Sequence, residues 1–343
     1  MRSTWRRIAG PIVSVAAILA LTLGATACST SSEKSDELLI YNAQHESLTK
    51  EWIDAFTKQT GIKVTYRQGG DTELGNQLVA EGGASPADVF LTENSPAMAA
   101  VERAGLFADV SADTVKQVPE QYRPASGKWT GVAARTTVFA YNTTKLRPEQ
   151  LPTSLLDLQQ PTWKGRWGAP PAKADFQAIV AALLALKGEP ATAQWLAGMK
   201  TNAVLYKDNI ATLKAVNDGE VDGGVVYHYY WFRDQSKAKE ISGNTALHYF
   251  GNGDPGAFLS LSGGGVLKSS KKQQQAQQFL QFITSKAGQE VLQNGTSYEY
   301  PVASGVPANS ALKPLDQLHP PAVDPSDLDA KKVSDLMTAA GLL

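Results

Sequence analysis

The sequence predicts an α/β protein of two lobes with a ligand cleft between them. Three observations carry this. Short apolar runs alternate with amphipathic helical patterns, the signature of a mostly parallel sheet flanked by helices. The alternation occurs in two blocks, and a late glycine-rich segment is expected to bring the chain back from the second block to the first. A chain of 343 residues is also long for one small core and suits two.

The first block opens with an apolar strand at Leu38-Leu39-Ile40-Tyr41. Leu48, Trp52, Ala55, Phe56 and Gln59 then fall on helical spacing, and Gly61 stops that helix. Ile62 to Tyr66 alternates as a second strand. A helical segment around Thr72 to Ala80 leads through Gly82-Gly83 to a third strand, Asp88 to Leu91. Ser95-Pro96 reads as a helix start, with serine as the cap and proline in the first turn, and that helix is expected to run to Gly105.

The second block begins after the strand Val138-Phe139-Ala140-Tyr141. It holds expected helices near Phe176–Leu186, Pro190–Met199 and Ala211–Asn217, the last feeding a strand at Val225–Tyr227. Asp254-Pro255-Gly256 and Gly263-Gly264-Gly265 punctuate the chain before Val266-Leu267, where the return crossing is expected. No internal repeat is evident.

The N-terminus reads as a secretory signal. Arg2, Arg6 and Arg7 precede an apolar stretch from Ile12 to Leu23, then the small residues Gly24-Ala25-Thr26-Ala27 and Cys28. That stretch is shorter than the ~20 residues of a membrane span. Cys28 is the only cysteine, so a disulfide framework and a zinc–cysteine cluster are excluded. Its position resembles a bacterial lipobox, in which the thiol is acylated, although Ala25 stands where that pattern usually has leucine. The expected organisation is a signal peptide at 1–27 and a lipidated tether at 28–37. The N-terminal lobe takes 38–136 and 262–315, and the C-terminal lobe takes 137–261 and 316–343.

The formal net charge is −1, and loss of the three signal arginines makes the remainder more acidic. With no basic run, nucleic-acid binding is disfavoured. Turnover is likewise not the expectation, since neither a Gly-x-Ser-x-Gly elbow nor a His-Glu-x-x-His helix occurs.

Tyr229 and Tyr230 are the candidate functional pair. Consecutive side chains on a strand point to opposite faces, so these two converge only where the strand ends or turns into a helix. A phenol has a free pKa near ~10, and a bound cation is what would ionise two together. In the first block His45 and Glu93 each lie in a loop after a strand, the usual place for ligand contacts in open α/β sheets. Brought together, one imidazole, one carboxylate and two phenolates carry three negative charges. Hard oxygen donors dominate without a thiolate, which favours ferric ion over copper(I) or structural zinc. Two octahedral positions would remain for an anion or waters. His228 and Tyr227 flank the pair. Of these, Tyr227 is the better alternative phenolate or hydrogen-bond donor, and Arg135 is a candidate cleft charge.

Tyr41-Asn42-Ala43-Gln44-His45, Ser85-Pro86-Ala87-Asp88-Val89-Phe90 with Glu93, Tyr229-Tyr230-Trp231 and Asp254-Pro255-Gly256-Ala257 occur in that order. In this the chain resembles the ferric-ion-binding proteins of bacterial iron uptake, over roughly residues 38 to 343. The resemblance implies a two-lobed, type II periplasmic-binding-protein-like fold with a hinge. It implies a monomeric, extracytoplasmic receptor that closes on Fe(III) and serves an ABC permease and its ATPase, held at the outer face of the cytoplasmic membrane by a lipid on Cys28. It carries metal-ligand roles to His45, Glu93, Tyr229 and Tyr230.

The family commonly holds phosphate or carbonate at a Ser-Gly-Ala-like turn. Here the matching stretch is Lys173-Ala174-Asp175, which removes the hydroxyl and adds a charge of each sign. Lys173, Ala174 and the retained Asn209 are the expected anion contacts, Asp175 is expected to repel an anion, and a second family asparagine is replaced by Tyr227. Carbonate, phosphate, citrate and waters all stay open. The same fold with a thiamine, polyamine, phosphonate or sulfate ligand is the alternative, and a secreted hydrolase is a remoter one.

Overall fold

The computed structural model describes residues 37–343. The expected signal segment and Cys28 lie outside them. In the first lobe, strand β1 (Leu38–Asn42) is followed by helix α1 (Glu46–Thr60), β2 (Val64–Gln68), α2 (Asp71–Glu81), β3 (Val89–Leu91), α3 (Ser95–Arg103) and α4 (Ala112–Gln117). Strand β4 (Thr130–Asn142) is long and buried almost throughout. It leads to β5 (Trp167–Ala169), α5 (Ala174–Asn202), β6 (Ala203–Leu205), α6 (Asn209–Asn217), β7 (Gly223–Tyr227), α7 (His228–Gln235) and β8 (Thr245–His248). Strand β9 (Leu259–Val266), α8 (Gln273–Thr284), α9 (Lys286–Asn294) and α10 (Ala330–Ala339) complete the chain.

The strands run in the order β2-β1-β3-β9-β4-β7-β5-β6, with β8 paired beside β4. β1 is parallel to β2 and β3, and β5 is parallel to β6 and β7. The two central strands β4 and β9 run antiparallel to their neighbours. β4 changes partner along its length: Thr130 to Thr136 pair with β9, and Thr137 to Tyr141 pair with β7.

Two large apolar cores lie on either side of this change. One gathers Leu48, Trp52 and Phe56 of α1 with Phe279, Leu280 and Ile283 of α8. The Phe56 ring meets Phe279 edge-on at 5.2 Å, and each fully buried side chain of this size contributes about 1.5–3 kcal/mol. The other gathers Phe139, Trp167, Phe176, Ile179, Trp195 and Met337.

Several expectations shift on contact with the structure. The second strand begins two residues later than the alternation suggests, at Val64. Asn94, not Ser95, is the cap residue of α3, because the Ser95 hydroxyl donates instead to the Leu261 carbonyl at 2.8 Å. Gly263 to Gly265 do not punctuate the chain. They lie inside β9, where a Cβ at Gly263 would meet Met98 at 2.3 Å and one at Gly265 would meet Phe107 at 2.6 Å. Strand β9 needs glycine there because helix α3 and the Phe107 ring pack directly on its backbone. The two helices expected at 176–186 and 190–199 are by contrast both present within the span Ala174–Asn202, separated by a kink at Gly188, whose φ of 77° is non-helical.

Two of the recurring motifs are structural pins. Asp88 accepts from the Leu39 backbone N–H and the Ser270 hydroxyl, tying β1 and β3 to the segment after β9. Asp254 accepts from the Gly256 and Leu155 backbone N–H groups, fixing the turn before β9.

Candidate metal centre

The Tyr pair converges by the route its sequence requires. β7 ends at Tyr227 and the chain turns directly into α7, so Tyr229 and Tyr230 occupy its first turn, about 100° apart around the helix axis. Their rings approach to 4.2 Å between centroids. His45 stands at the N-terminus of α1, and its imidazole meets the Tyr229 ring edge-on at 5.0 Å. Its Nε2 lies 3.3 Å from Glu93 Oε1. Glu93 follows β3, and its backbone N–H donates to Asp71 Oδ1 at 2.9 Å. All four expected ligands are therefore brought together. Among the described residues no group of three His, Cys, Asp or Glu has metal-binding geometry, so any such site here depends on the phenols.

Asp175 joins them, which the sequence reading did not foresee. It sits in the first turn of α5 and is almost fully buried. Its Oδ2 accepts from Tyr230 Oη at 2.9 Å, from Tyr229 Oη at 3.3 Å and from Asn209 Nδ2 at 2.9 Å. Its Oδ1 accepts from Asn94 Nδ2 at 2.9 Å. Asn209 also donates to Tyr230 Oη at 3.1 Å. Asn209 is thus beside the phenols, and Ala174 immediately precedes Asp175 in sequence. Lys173 is exposed; its backbone N–H is used by the Pro170 carbonyl, and the side chain brought to the phenols from this stretch is Asp175. The N-termini of α5, α6 and α7 supply Asp175, Asn209 and the Tyr pair, an arrangement whose partial positive charge favours anionic donors.

Burial and the Asp175 charge push both phenols well above their ordinary value. Burial also raises Glu93 to about 7, with the adjacent His45 opposing it and Asp175 adding to it. Asp71 is raised to about 6 by burial, against the hydrogen bonds it accepts from Asn94 and the Glu93 backbone. Burial acts to lower His45, yet Glu93 and Glu299 outweigh it and the imidazole is raised overall. These surroundings favour the protonated forms of Glu93, Tyr229 and Tyr230, so a cation binding them displaces protons.

The flanking candidates separate cleanly. His228 turns away from Glu93: its ring stacks on Tyr300 at 4.8 Å and its Nδ1 accepts from the Thr136 backbone N–H at 3.3 Å. Burial lowers it to about 3, so it is a neutral core histidine. Tyr227 donates to Asn94 Oδ1 at 3.3 Å. Arg135 is fully buried, with its guanidinium 5.8 Å from the Tyr229 ring and Nη2 2.5 Å from Glu299 Oε2. Asn94 spends both of its amide ends here, donating to Asp71 and Asp175 and accepting from Tyr227 and Ser260. Asp71, Asn94, Asp175 and Glu299 lack a local signal in the sequence; only the family mismatch at 173–175 drew attention to Asp175.

Residues 84–324 match the family described as bacterial extracellular solute-binding protein. The chain is 59% identical, over 97% of its length and 98% of the relative's, to the Fe(3+)-binding periplasmic protein of Serratia marcescens. It is similar in structure to iron-bound HitA from Pseudomonas aeruginosa, with a TM-score of 0.84 and 42% identity over 89% of this chain and 99% of that one. It is also similar to the Trichodesmium IdiA (FutA) structure in complex with iron and citrate ligands, with a TM-score of 0.79 and 26% identity over 90% of this chain and 100% of that one. The fold is accordingly the two-lobed type II binding-protein fold that the sequence predicts. The chain belongs to the bacterial extracellular solute-binding proteins and, within them, to the bacterial ferric-ion-binding protein family.

Proposed function

We propose that this protein is the extracytoplasmic receptor of an ABC iron importer, which binds Fe(III) in the cleft and delivers it to a membrane permease and its ATPase. The observation that carries the reading is the meeting of His45, Glu93, Tyr229 and Tyr230 at one place, with Tyr229 buried and the other three half-buried. Glu93 and two phenolates supply three negative charges, which match a ferric ion and overcompensate a ferrous one. His45 Nε2 adds a neutral nitrogen donor. The names of the relatives, an Fe(3+)-binding periplasmic protein and an iron-bound HitA, support the same cargo.

Asp175 is the chain's own substitute for an accompanying anion. Its carboxylate is hydrogen-bonded to both phenols and to Asn209, one of the expected anion contacts, and it brings the negative charge with it. Citrate beside iron in the Trichodesmium relative supports a further, exchangeable ligand at any coordination position left open.

The lobes are taken as 38–136 with 262–315, and 137–261 with 316–343. The change of β4 partner between Thr136 and Thr137 supports a crossing at that point. His45 and Glu93 come from one lobe and the Tyr pair and Asp175 from the other, so iron selects the closed arrangement. Lipid on Cys28 would hold the receptor, a monomer, near its permease. Among the described residues no helix is long and apolar enough to cross a membrane.

Metal analysis and the visible spectrum of the purified domain test the reading. One iron per chain and a tyrosinate-to-iron charge-transfer band support it; a colourless protein that takes up an organic solute and leaves iron in solution would replace it with the alternative cargo.

A further inference from the structure

We propose that Glu299 is a positioning residue for the iron site: its buried carboxylate orients the His45 ring so that Nε2 faces Glu93 and the phenols. The inference rests on the iron reading above and adds a residue to it. Glu299 Oε1 lies 2.7 Å from His45 Nδ1, on the side of the ring opposite the 3.3 Å approach of Nε2 to Glu93. Both ring nitrogens face a carboxylate, but the Nδ1 contact is the short one, 2.7 Å against 3.3 Å, so in the neutral ring the hydrogen stays on Nδ1 and the lone pair is left on Nε2. Carboxylate partners of this kind fix both the tautomer and the orientation of ligating histidines.

The carboxylate is itself held from the other side. Glu299 Oε2 accepts from Arg135 Nη2 at 2.5 Å, from Ser262 Oγ at 3.3 Å and from Gln44 Nε2 at 3.3 Å. Gln44 closes the circuit, because its Oε1 accepts from the His45 backbone N–H at 2.7 Å. Glu299 and Arg135 are both fully buried. Both oxygens of Glu299 are therefore engaged away from Glu93, which makes it a support for the ligand set and not a member of it. The Glu299 segment is joined to β4 by the Ala134–Tyr300 backbone pairing, in the stretch of β4 that pairs with β9. His45 is thus oriented by its own lobe before iron arrives.

The test uses the full mature domain with 15N-labelled histidine. In metal-free wild type at pH 9, His45 should show a single tautomer, with Nδ1 bearing the hydrogen. In Glu299→Leu/Arg135→Leu, which removes both buried charges together, the pattern should become mixed. Iron release to a competing chelator should accelerate by about 10–100-fold. Glu299→Gln, which keeps the shape and loses the charge, should release iron about tenfold faster, and it decides the matter should the double variant not fold. Unchanged His45 nitrogen shifts in the folded double variant would overturn the proposal and leave Glu299 a packing residue. So would release within twofold of wild type in the folded double variant, or in Glu299→Gln. Because the nitrogen shifts are read without metal, a failure of iron binding in wild type would count against the cargo and not against the role of Glu299.

Discussion

Tyr230 Oη and Tyr229 Oη donate to the same oxygen of Asp175, at 2.9 and 3.3 Å. One carboxylate therefore receives both phenol protons. A ferric ion that displaces those protons would also break both hydrogen bonds and leave Asp175 as a fourth negative charge beside Glu93 and the two phenolates. Metal and protons compete for one set of atoms.

If iron binds as proposed, the phenol oxygens are the source of its colour. Tyr229→Phe and Tyr230→Phe keep the rings and delete the donors, so each should abolish the visible band or shift it strongly and weaken ferric binding. His228→Ala should leave the band in place, because that imidazole packs on Tyr300 away from Glu93. Absorption spectra of the three iron-treated variants decide this, and an unchanged band in both phenylalanine variants would remove the tyrosines from the ligand set.

Asp175 should make iron binding independent of added anion. Asp175→Ser removes the carboxylate while Asn209 and the phenols stay, so the variant should bind ferric ion more weakly and recover affinity when phosphate, carbonate or citrate is supplied. Titrations with and without each anion check this. Wild type and variant with the same anion dependence would show that Asp175 does not stand in for one.

Asp71 and Glu93 should cost the metal-free protein stability at neutral pH. Glu93 at about 7 and Asp71 at about 6 both lie above their ordinary values of 4.5 and 3.8, so ionising them disfavours the folded state. Their full contribution is present below the ordinary values and is lost as pH rises toward 7. His45, raised by its two glutamate neighbours, works in the same direction. Metal-free protein should therefore melt higher at pH 5 than at pH 8. Glu93→Gln should raise the pH 8 melting temperature by about 3 °C while weakening iron binding. Thermal melts with and without iron test both halves, and a metal-free protein most stable at pH 8 would contradict them.

Cys28 should anchor the chain. Cys28→Ser should move the expressed protein from the membrane fraction to the soluble one without altering its iron spectrum. A wild-type chain already soluble and unmodified would argue for simple secretion.

The proposed ligand quartet stood out because its residue types are unusual where they stand. A tyrosine doublet at the end of an apolar strand, and a histidine and a glutamate in loops after strands, carry chemistry that a core or a solvated face does not require. The supporting residues were not legible. Glu299 reaches His45 from an irregular segment 254 positions away, and no periodicity or spacing connects the two. Asp175 was read as a hindrance to an anion, since sequence gives its charge but not its position; its burial beside the phenols is what suggests that the same charge stands in for the anion. The fold followed a similar division. Helices with clear apolar faces, such as α1, kept their bounds, and α1 ends at Gly61 in the left-handed conformation. The glycines of β9 were misread as turns because their reason is the close approach of Met98 and Phe107, which is a tertiary contact.

Ferric ion is expected to bind by displacing protons from His45, Glu93, Tyr229 and Tyr230. Competition titration of ferric and ferrous ion against chelators, at pH 7.5 and at pH 5.5, tests it most directly. The account predicts ferric binding stronger than ferrous by many orders of magnitude, with ferric affinity falling at the lower pH as His45, Glu93 and the two phenols hold their protons. Equal affinity for the two oxidation states, or ferric binding unchanged between the two pH values, would contradict it even if iron were bound.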